Sequence, residues 1–244
     1  GLPVIVLAPV NSADCYNLTC QAFNLAETYR CPVFVASNKE IGMTKESVSE
    51  EELAEIEVLS RAGSEESCSN LPYQPFAAST ESMVPAFLPI GGTALVRQTS
   101  SSHGPDGFIT TSPKALAEGV NRMRNKLVSQ RDDLSFYRLD PDPAADTLVI
   151  VYGVTARAAE VSIKRLREQS HCISLLVLQT LYPVPEKLLI DEIAKVSRVI
   201  VVEMNLGQYV REVERFSGAT AVEFFGKMDG ELISPEEITR VIVP

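Results

Sequence analysis

The chain has 244 residues, 45% of them apolar, and a formal net charge of −10. That balance excludes a nucleic-acid backbone or an anionic bilayer as main partner, since both require a basic footprint. No stretch reaches the roughly 18 uninterrupted apolar residues of a membrane-spanning helix.

Pro3 to Ala8 is a short apolar run between prolines, as expected of a strand covered on both faces. Over residues 12–29 the period changes: Cys15, Leu18, Ala22, Leu25 and Tyr29 fall on one helical stripe, with Ser12 as the expected N-cap. A second buried run, Pro32 to Ala36, completes a βαβ unit. Asn38, Lys39 and Glu40 then sit at a strand's C-terminal end, the functional rim of open α/β sheets.

Residues 46–112 read as an extended connector. Five glutamates fall among residues 49–57, and the stretch from 61 to 92 is rich in Ser, Pro, Glu and Gly without a sustained period. Its expected anchors are Leu71, Tyr73, Phe76, Phe87 and Leu88. The loop Thr99-Ser100-Ser101-Ser102-His103-Gly104-Pro105-Asp106-Gly107 gathers hydroxyls, an imidazole and a carboxylate. It suits either a carboxylate-binding or proton-transfer role for His103 or a turn bonding its own backbone. Residues 113–128 recover helical order, with Leu116, Val120, Met123 and Leu127 on one face.

From Asp146 strands and helices alternate. Strands are expected at 147–152, 173–178, 199–202 and 221–225, and Thr155 is placed to cap the first helix. Pro183 and Pro185 open a second helix, and Leu206, Val210, Val213 and Phe216 mark a third. Ser234-Pro235-Glu236-Glu237 is a capping box that starts the last. The expected fold is α/β: a doubly wound, mainly parallel sheet over residues 113–244, preceded by the end of another α/β domain over residues 1–45.

The segment Glu203-Met204-Asn205-Leu206-Gly207-Gln208 places a polar, glycine-bearing turn at the end of a buried strand. Asn205 and Gln208 are therefore candidates for contact with a partner chain. Gly153 opens a turn that is either an anion site at a helix N-terminus or a tight structural turn. Arg122, Arg124 and Lys126, with Arg131, form the densest positive stretch and the candidate docking face for an acidic electron carrier. The helix after Gly153 carries Arg157, Lys164, Arg165 and Arg167 interleaved with Glu160 and Glu168, which reads as a solvated face. With two distant histidines and five irregularly spaced cysteines, no metal site is assigned, and a reducing cytoplasm is the expected compartment.

Several blocks, in order, resemble the α subunit of the 2-oxoacid:ferredoxin oxidoreductases. They are Pro3-Val4-Ile5-Val6-Leu7-Ala8-Pro9, Ala22 to Glu27, Pro32-Val33, Ser102 to Gly107, Thr180-Leu181-Tyr182-Pro183-Val184-Pro185, Glu203 to Gln208, and Gly226 to Ile233. The resemblance implies the end of a thiamine-diphosphate pyrimidine-binding domain followed by a transketolase C-terminal-like domain. It implies an enzyme that oxidatively decarboxylates a 2-oxoacid, transfers the acyl group to coenzyme A and passes electrons through iron–sulfur clusters to ferredoxin. In the family the diphosphate, its magnesium and a cluster belong mainly to the β subunit. The glutamate contacting the aminopyrimidine lies upstream of the segment matching Pro3 to Pro9, so the sequence resembles the C-terminal part of a longer α subunit, or half of a split one. Neither Glu27 nor Glu40 takes that role; Asn38 and Glu40 are at most supports behind the cofactor. The Ser102 to Gly107 version of the loop resembles that of the 2-oxoglutarate subgroup, which implies 2-oxoglutarate as the slightly preferred substrate. A non-catalytic assembly or ferredoxin-docking module and a transketolase or E1-like fragment are the competing readings.

Overall fold

The computed structural model describes residues 3–60, 73–92 and 94–243. Leu71 and Cys68 lie outside the described residues. The elements are β1 (Ile5–Leu7), α1 (Ser12–Tyr29), β2 (Val33–Val35), α2 (Lys39–Met43), α3 (Pro113–Val128), β3 (Tyr137–Asp140), β4 (Thr147–Tyr152) and α4 (Thr155–Glu168). They continue with β5 (Ile173–Leu178), β6 (Thr180–Tyr182), α5 (Glu186–Ile193), β7 (Arg198–Glu203), α6 (Val210–Glu214), β8 (Ala221–Gly226) and α7 (Pro235–Ile242). Two compact units result: one from Gly1–Ile5, Cys20–Val33 and Ile56–Gln130, the other from Val6–Thr19, Phe34–Glu55 and Arg131–Pro244.

The larger unit is built on a five-stranded sheet of order β3-β5-β4-β7-β8. β4, β5, β7 and β8 are parallel, and β3 pairs antiparallel to β5 at one edge. Successive strand residues alternate between two cores. Val149, Val151, Leu175, Val177, Ile200 and Val202 face Ala159, Ile163 and Leu166 of α4 and Ile238 and Ile242 of α7. Leu148, Ile150, Leu176, Leu178, Val199 and Val201 face Leu189 and Ile193 of α5 and Val210 and Val213 of α6. Burial on both faces explains why these strands read as unbroken apolar runs. The result is a mostly parallel α/β sheet with helices on both sides.

A smaller sheet of order β2-β1-β6 accompanies it. In it Val6 and Leu7 pair antiparallel with Tyr182 and Thr180.

Several local expectations need correction. Ser12 is the first helical residue of α1, and the cap is Asn11, whose Oδ1 accepts the Asp14 N–H at 2.8 Å. Thr155 likewise begins α4, and no side chain caps that helix. Leu206 is 73% exposed on a loop because α6 starts only at Val210. At α7 the capping box forms as expected: Ser234 Oγ accepts the Glu237 N–H and Glu237 accepts the Ser234 N–H.

In the smaller unit, α3 holds the C-terminal end of α1. The Lys126 ammonium donates to the Tyr29 and Arg30 carbonyls, oxygens a helix terminus leaves unsatisfied. The sequence pattern opened the C-terminal domain at residue 113, whereas α3 groups with the connector and the end of α1. Arg30, in the left-handed region at φ 44°, gathers the connector by donating to the Pro85 and Ala86 carbonyls, both at 2.8 Å. Of the expected anchors, Leu88 is buried, while Tyr73, Phe76 and Phe87 are half-buried.

Candidate functional site

The C-terminal ends of the parallel strands in the larger unit converge on Glu203, which is fully buried at the end of β7. A carboxylate leaves water only when donors replace its hydration, and Glu203 has four. Its Oε2 accepts from Tyr152 Oη at 2.8 Å, Asn205 Nδ2 at 2.6 Å and the Tyr209 N–H at 3.0 Å. Its Oε1 accepts from the Val210 N–H at 3.0 Å. The two backbone donors belong to the opening of α6, so the carboxylate closes the turn and faces the helix's positive end.

Tyr152 ends β4, the strand beside β7. Asn205 Nδ2 also donates to Tyr152 Oη at 2.6 Å, closing a triangle. Its Oδ1 accepts the Gly207 and Gln208 N–H groups at 2.8 and 3.0 Å. Burial first, and then the bond to Glu203, pushes the Tyr152 phenol well above the usual tyrosine range. Burial does the same to Tyr209, followed by the charges of Glu212 and Glu203. The Tyr209 Oη is buried and finds no hydrogen-bond partner among the described residues. Gly226, ending β8, admits no side chain, because a Cβ there would stand 2.6 Å from the Asn205 carbonyl oxygen.

This network positions groups more than it moves protons. Asn205, a sequence candidate for partner contact, spends both ends of its amide inside the turn, whereas Gln208 is exposed and accepts the Leu206 N–H at 3.1 Å.

At the neighbouring rim Asn38 is committed to structure. Its Oδ1 accepts the Val154 N–H at 2.9 Å, at the turn that Gly153 makes with φ 61°. That bond occupies an N–H an anion would need, so the turn is the tight structural one. Glu40 lies in α2 and lines a hollow of about 480 Å³ with Thr155, Arg157, Met204 and Ile233. The arginines of α4 serve internal pairs: Arg157 with Glu46, Arg165 with Glu236 and Arg167 with Asp140.

In the smaller unit His103 lines a separate cleft of about 490 Å³. Its Nδ1 lies 2.8 Å from the Ser101 carbonyl, and its ring centroid is 3.8 Å from that of Phe76. Arg122 lines the same cleft, half-buried, and donates to the Met83 carbonyl at 2.9 Å. Lys126 also lines it and is only 5% exposed, which corrects its reading as part of a surface docking face. Arg124 alone of the three is on the surface. Sequence reading passed over Tyr152 and Arg30. A polar residue at a strand end and a cation just past a helix C-terminus were the signals available.

The comparisons with known proteins fall on this frame. The family described as pyruvate flavodoxin/ferredoxin oxidoreductase, thiamine diP-bdg, matches residues 1–122, and pyruvate:ferredoxin oxidoreductase core domain II matches residues 145–238. The 2-oxoglutarate synthase subunit KorA of Methanocaldococcus jannaschii is 33% identical over 241 residues. The chain belongs to the 2-oxoacid:ferredoxin oxidoreductase family. That alignment covers 98% of this chain but 63% of the relative, so the chain spans less than two thirds of the curated relatives it matches. The ketoisovalerate oxidoreductase subunit VorB of Methanothermobacter marburgensis is 25% identical over 243 residues. A solved 2-oxoglutarate:ferredoxin oxidoreductase from Magnetococcus marinus shares the fold, with a TM-score of 0.84 at 22% identity. It is covered over 42% of its chain and 98% of this one.

Proposed function

We propose that this chain forms part of the α subunit of an enzyme that oxidises 2-oxoglutarate in the presence of coenzyme A. The substrate loses its carboxylate as CO2, its keto carbon becomes an acyl thioester, and the electron pair passes to ferredoxin. The observation that carries this reading is the identity gradient over nearly the whole chain. It stands at 33% toward a 2-oxoglutarate synthase subunit and 25% toward a ketoisovalerate oxidoreductase subunit.

The described residues do not themselves fit the diphosphate and magnesium of thiamine diphosphate. Among them no three His, Cys, Asp or Glu side chains are placed to hold a metal. The Glu203 oxygens are filled by internal donors, and Asn38 holds a turn. We assign the diphosphate, magnesium and iron–sulfur cluster to a β partner and give this chain the role of a rigid wall with the Asn205–Gln208 turn at its rim. The isolated chain is then inactive. A cytoplasmic location suits Cys15, Cys20, Cys31 and Cys172, all free thiols. No helix among the described residues is long and apolar enough to cross a membrane.

The test is reconstitution of the complete α subunit with its β partner. Coenzyme A-dependent viologen reduction is expected to be fastest with 2-oxoglutarate and at least about tenfold slower with 2-oxoisovalerate, the factor a missing charged contact produces. Equal rates with both acids would overturn the substrate assignment. Absence of turnover with every 2-oxoacid, in a complex loaded with cofactor and cluster, would overturn the enzyme.

A further inference from the structure

Arg30 and Arg122 reach the cleft of the smaller unit from different segments, the end of α1 and the middle of α3, and Lys126 stands beside them. Among the described residues the hydrogen-bond partners of all three are carbonyl oxygens: those of Pro75, Pro85 and Ala86 for Arg30, which also lies over the Phe87 ring, Met83 for Arg122, and Tyr29 and Arg30 for Lys126. A carbonyl dipole orients a cation without neutralising it. The cost of that shortfall shows at Arg122, whose affinity for its proton is lowered by burial and by the charge of Arg30. Lys126 is lowered by burial, against an opposing pull from Cys31, and Arg122 and Arg30 add to the lowering.

The carboxylate among the cleft residues, Glu118, is exposed and sits 3.9 Å from Lys114. A chain of net charge −10 thus keeps three cations in one hollow without a carboxylate of its own paired to them among the described residues. Such a cluster is stable when the anion comes from outside the chain. The remaining wall suits an organic body, since the Phe76 and His103 rings meet with centroids 3.8 Å apart and planes tilted by 41°, beside Met123. The volume, about 490 Å³, is that of a small-molecule site.

We propose that this cleft binds a phosphate-bearing small molecule, its anion held by Arg30 and Arg122 and its organic part laid against the Phe76–His103 pair. Planar guanidinium groups match phosphate oxygens in pairs, which a carbonyl-bound ammonium does not. The site is independent of the 2-oxoacid assignment, and its test reads binding, with no turnover required.

The complete α subunit with its β partner is titrated calorimetrically with inorganic phosphate and with phenyl phosphate. Phenyl phosphate is expected to bind saturably and at least about tenfold more tightly than inorganic phosphate, the worth of one aromatic stack. Arg122→Gln should weaken it at least roughly tenfold, the loss of one charge-assisted bond, while Arg124→Gln, on the exposed face of the same helix, should leave it unchanged. Phe76→Leu, which leaves the cations intact, should abolish the preference for the aromatic ester, and circular dichroism confirms that each variant is folded. Failure of either phosphate to saturate, equal affinity for the two, or full binding by Arg122→Gln overturns the proposal.

Discussion

Asn38 and Gly153 are fitted to each other: the Asn38 Oδ1 stands 2.4 Å from the point a Cβ on Gly153 would occupy. The same oxygen accepts the Val154 N–H at 2.9 Å, and Gly153 has φ 61°. Gly153→Ala therefore adds left-handed strain of about 1–2 kcal/mol and expels the Asn38 oxygen, a bond worth about 1 kcal/mol. Urea unfolding should show Gly153→Ala destabilised by about 2–3 kcal/mol and Asn38→Ala by about 1 kcal/mol. The double variant should lose less than the two single losses added, because both remove the same bond. Strict additivity would show that the two residues do not communicate.

Glu203 poses the same question with a charge. Replacing it by alanine strands the buried Tyr209 and Val210 N–H groups and removes the partner of the half-buried Tyr152 and Asn205. A loss of about 3–5 kcal/mol is expected, the range for breaking a buried charged network. Glu203→Gln keeps the shape but turns one acceptor oxygen into a donor facing other donors, and about 1–3 kcal/mol should go. A Glu203→Gln protein as stable as the wild type would show that the four donors do not depend on both oxygens of this side chain.

Alkaline stability follows from two phenols, the buried Tyr209 and the partly buried Tyr152. Both Tyr152 and Tyr209 have folded pKa values raised above their unfolded ones, chiefly by burial. The native state therefore holds these protons more tightly than the unfolded chain does. Their contribution is complete below the unfolded pKa, about 10, and is lost as pH rises from there toward the folded values. The urea midpoint should fall above about pH 10. In Tyr152→Phe the fall should be shallower, although the variant starts lower for want of one donor to Glu203. Ultraviolet titration of phenolate should show these two rings ionising only as the protein unfolds.

What could be read from sequence was what a single segment carries. The runs at 147–152 and 173–178 announce strands because both their faces are covered, and Ser234 and Glu237 announce a helix start because the cap is local. β3 was missed: Tyr137-Arg138-Leu139-Asp140 is a largely exposed edge strand without an apolar run. The antiparallel partnership of β1 with β6 joins segments too far apart to show any pattern. The site was half legible for the same reason. Glu203 and Asn205 stood out as a polar turn, but Tyr152 lies 51 positions from Glu203 in the chain. Arg30 reaches carbonyls 55 and 56 residues away. Lys126 looked like surface charge because nothing local reveals that its ammonium ends a different helix.

Arg198 separates charge pairing from helix capping. Its Nε and Nη2 meet the two Glu223 oxygens, each at 2.7 Å, across neighbouring strands β7 and β8. The guanidinium also donates to the Ile242 and Val241 carbonyls at 2.7 and 3.0 Å, the free end of α7. Arg198 holds the Glu223 carboxyl below the usual glutamate range, yet Glu223 is 46% exposed, so solvent and salt screen the pair to below about 1 kcal/mol. Because the folded pKa is the lower one, that part is present above the unfolded value, about 4.3, and disappears as pH falls through the folded value. The carbonyl bonds carry no such dependence. Arg198→Ala should thus cost about 1–2 kcal/mol at neutral pH in high salt as well as low. Glu223→Gln should cost under about 1 kcal/mol, and only in low salt. If Arg198→Ala instead tracks Glu223→Gln in both size and salt dependence, Arg198 does no more than pair charges and α7 ends without its help.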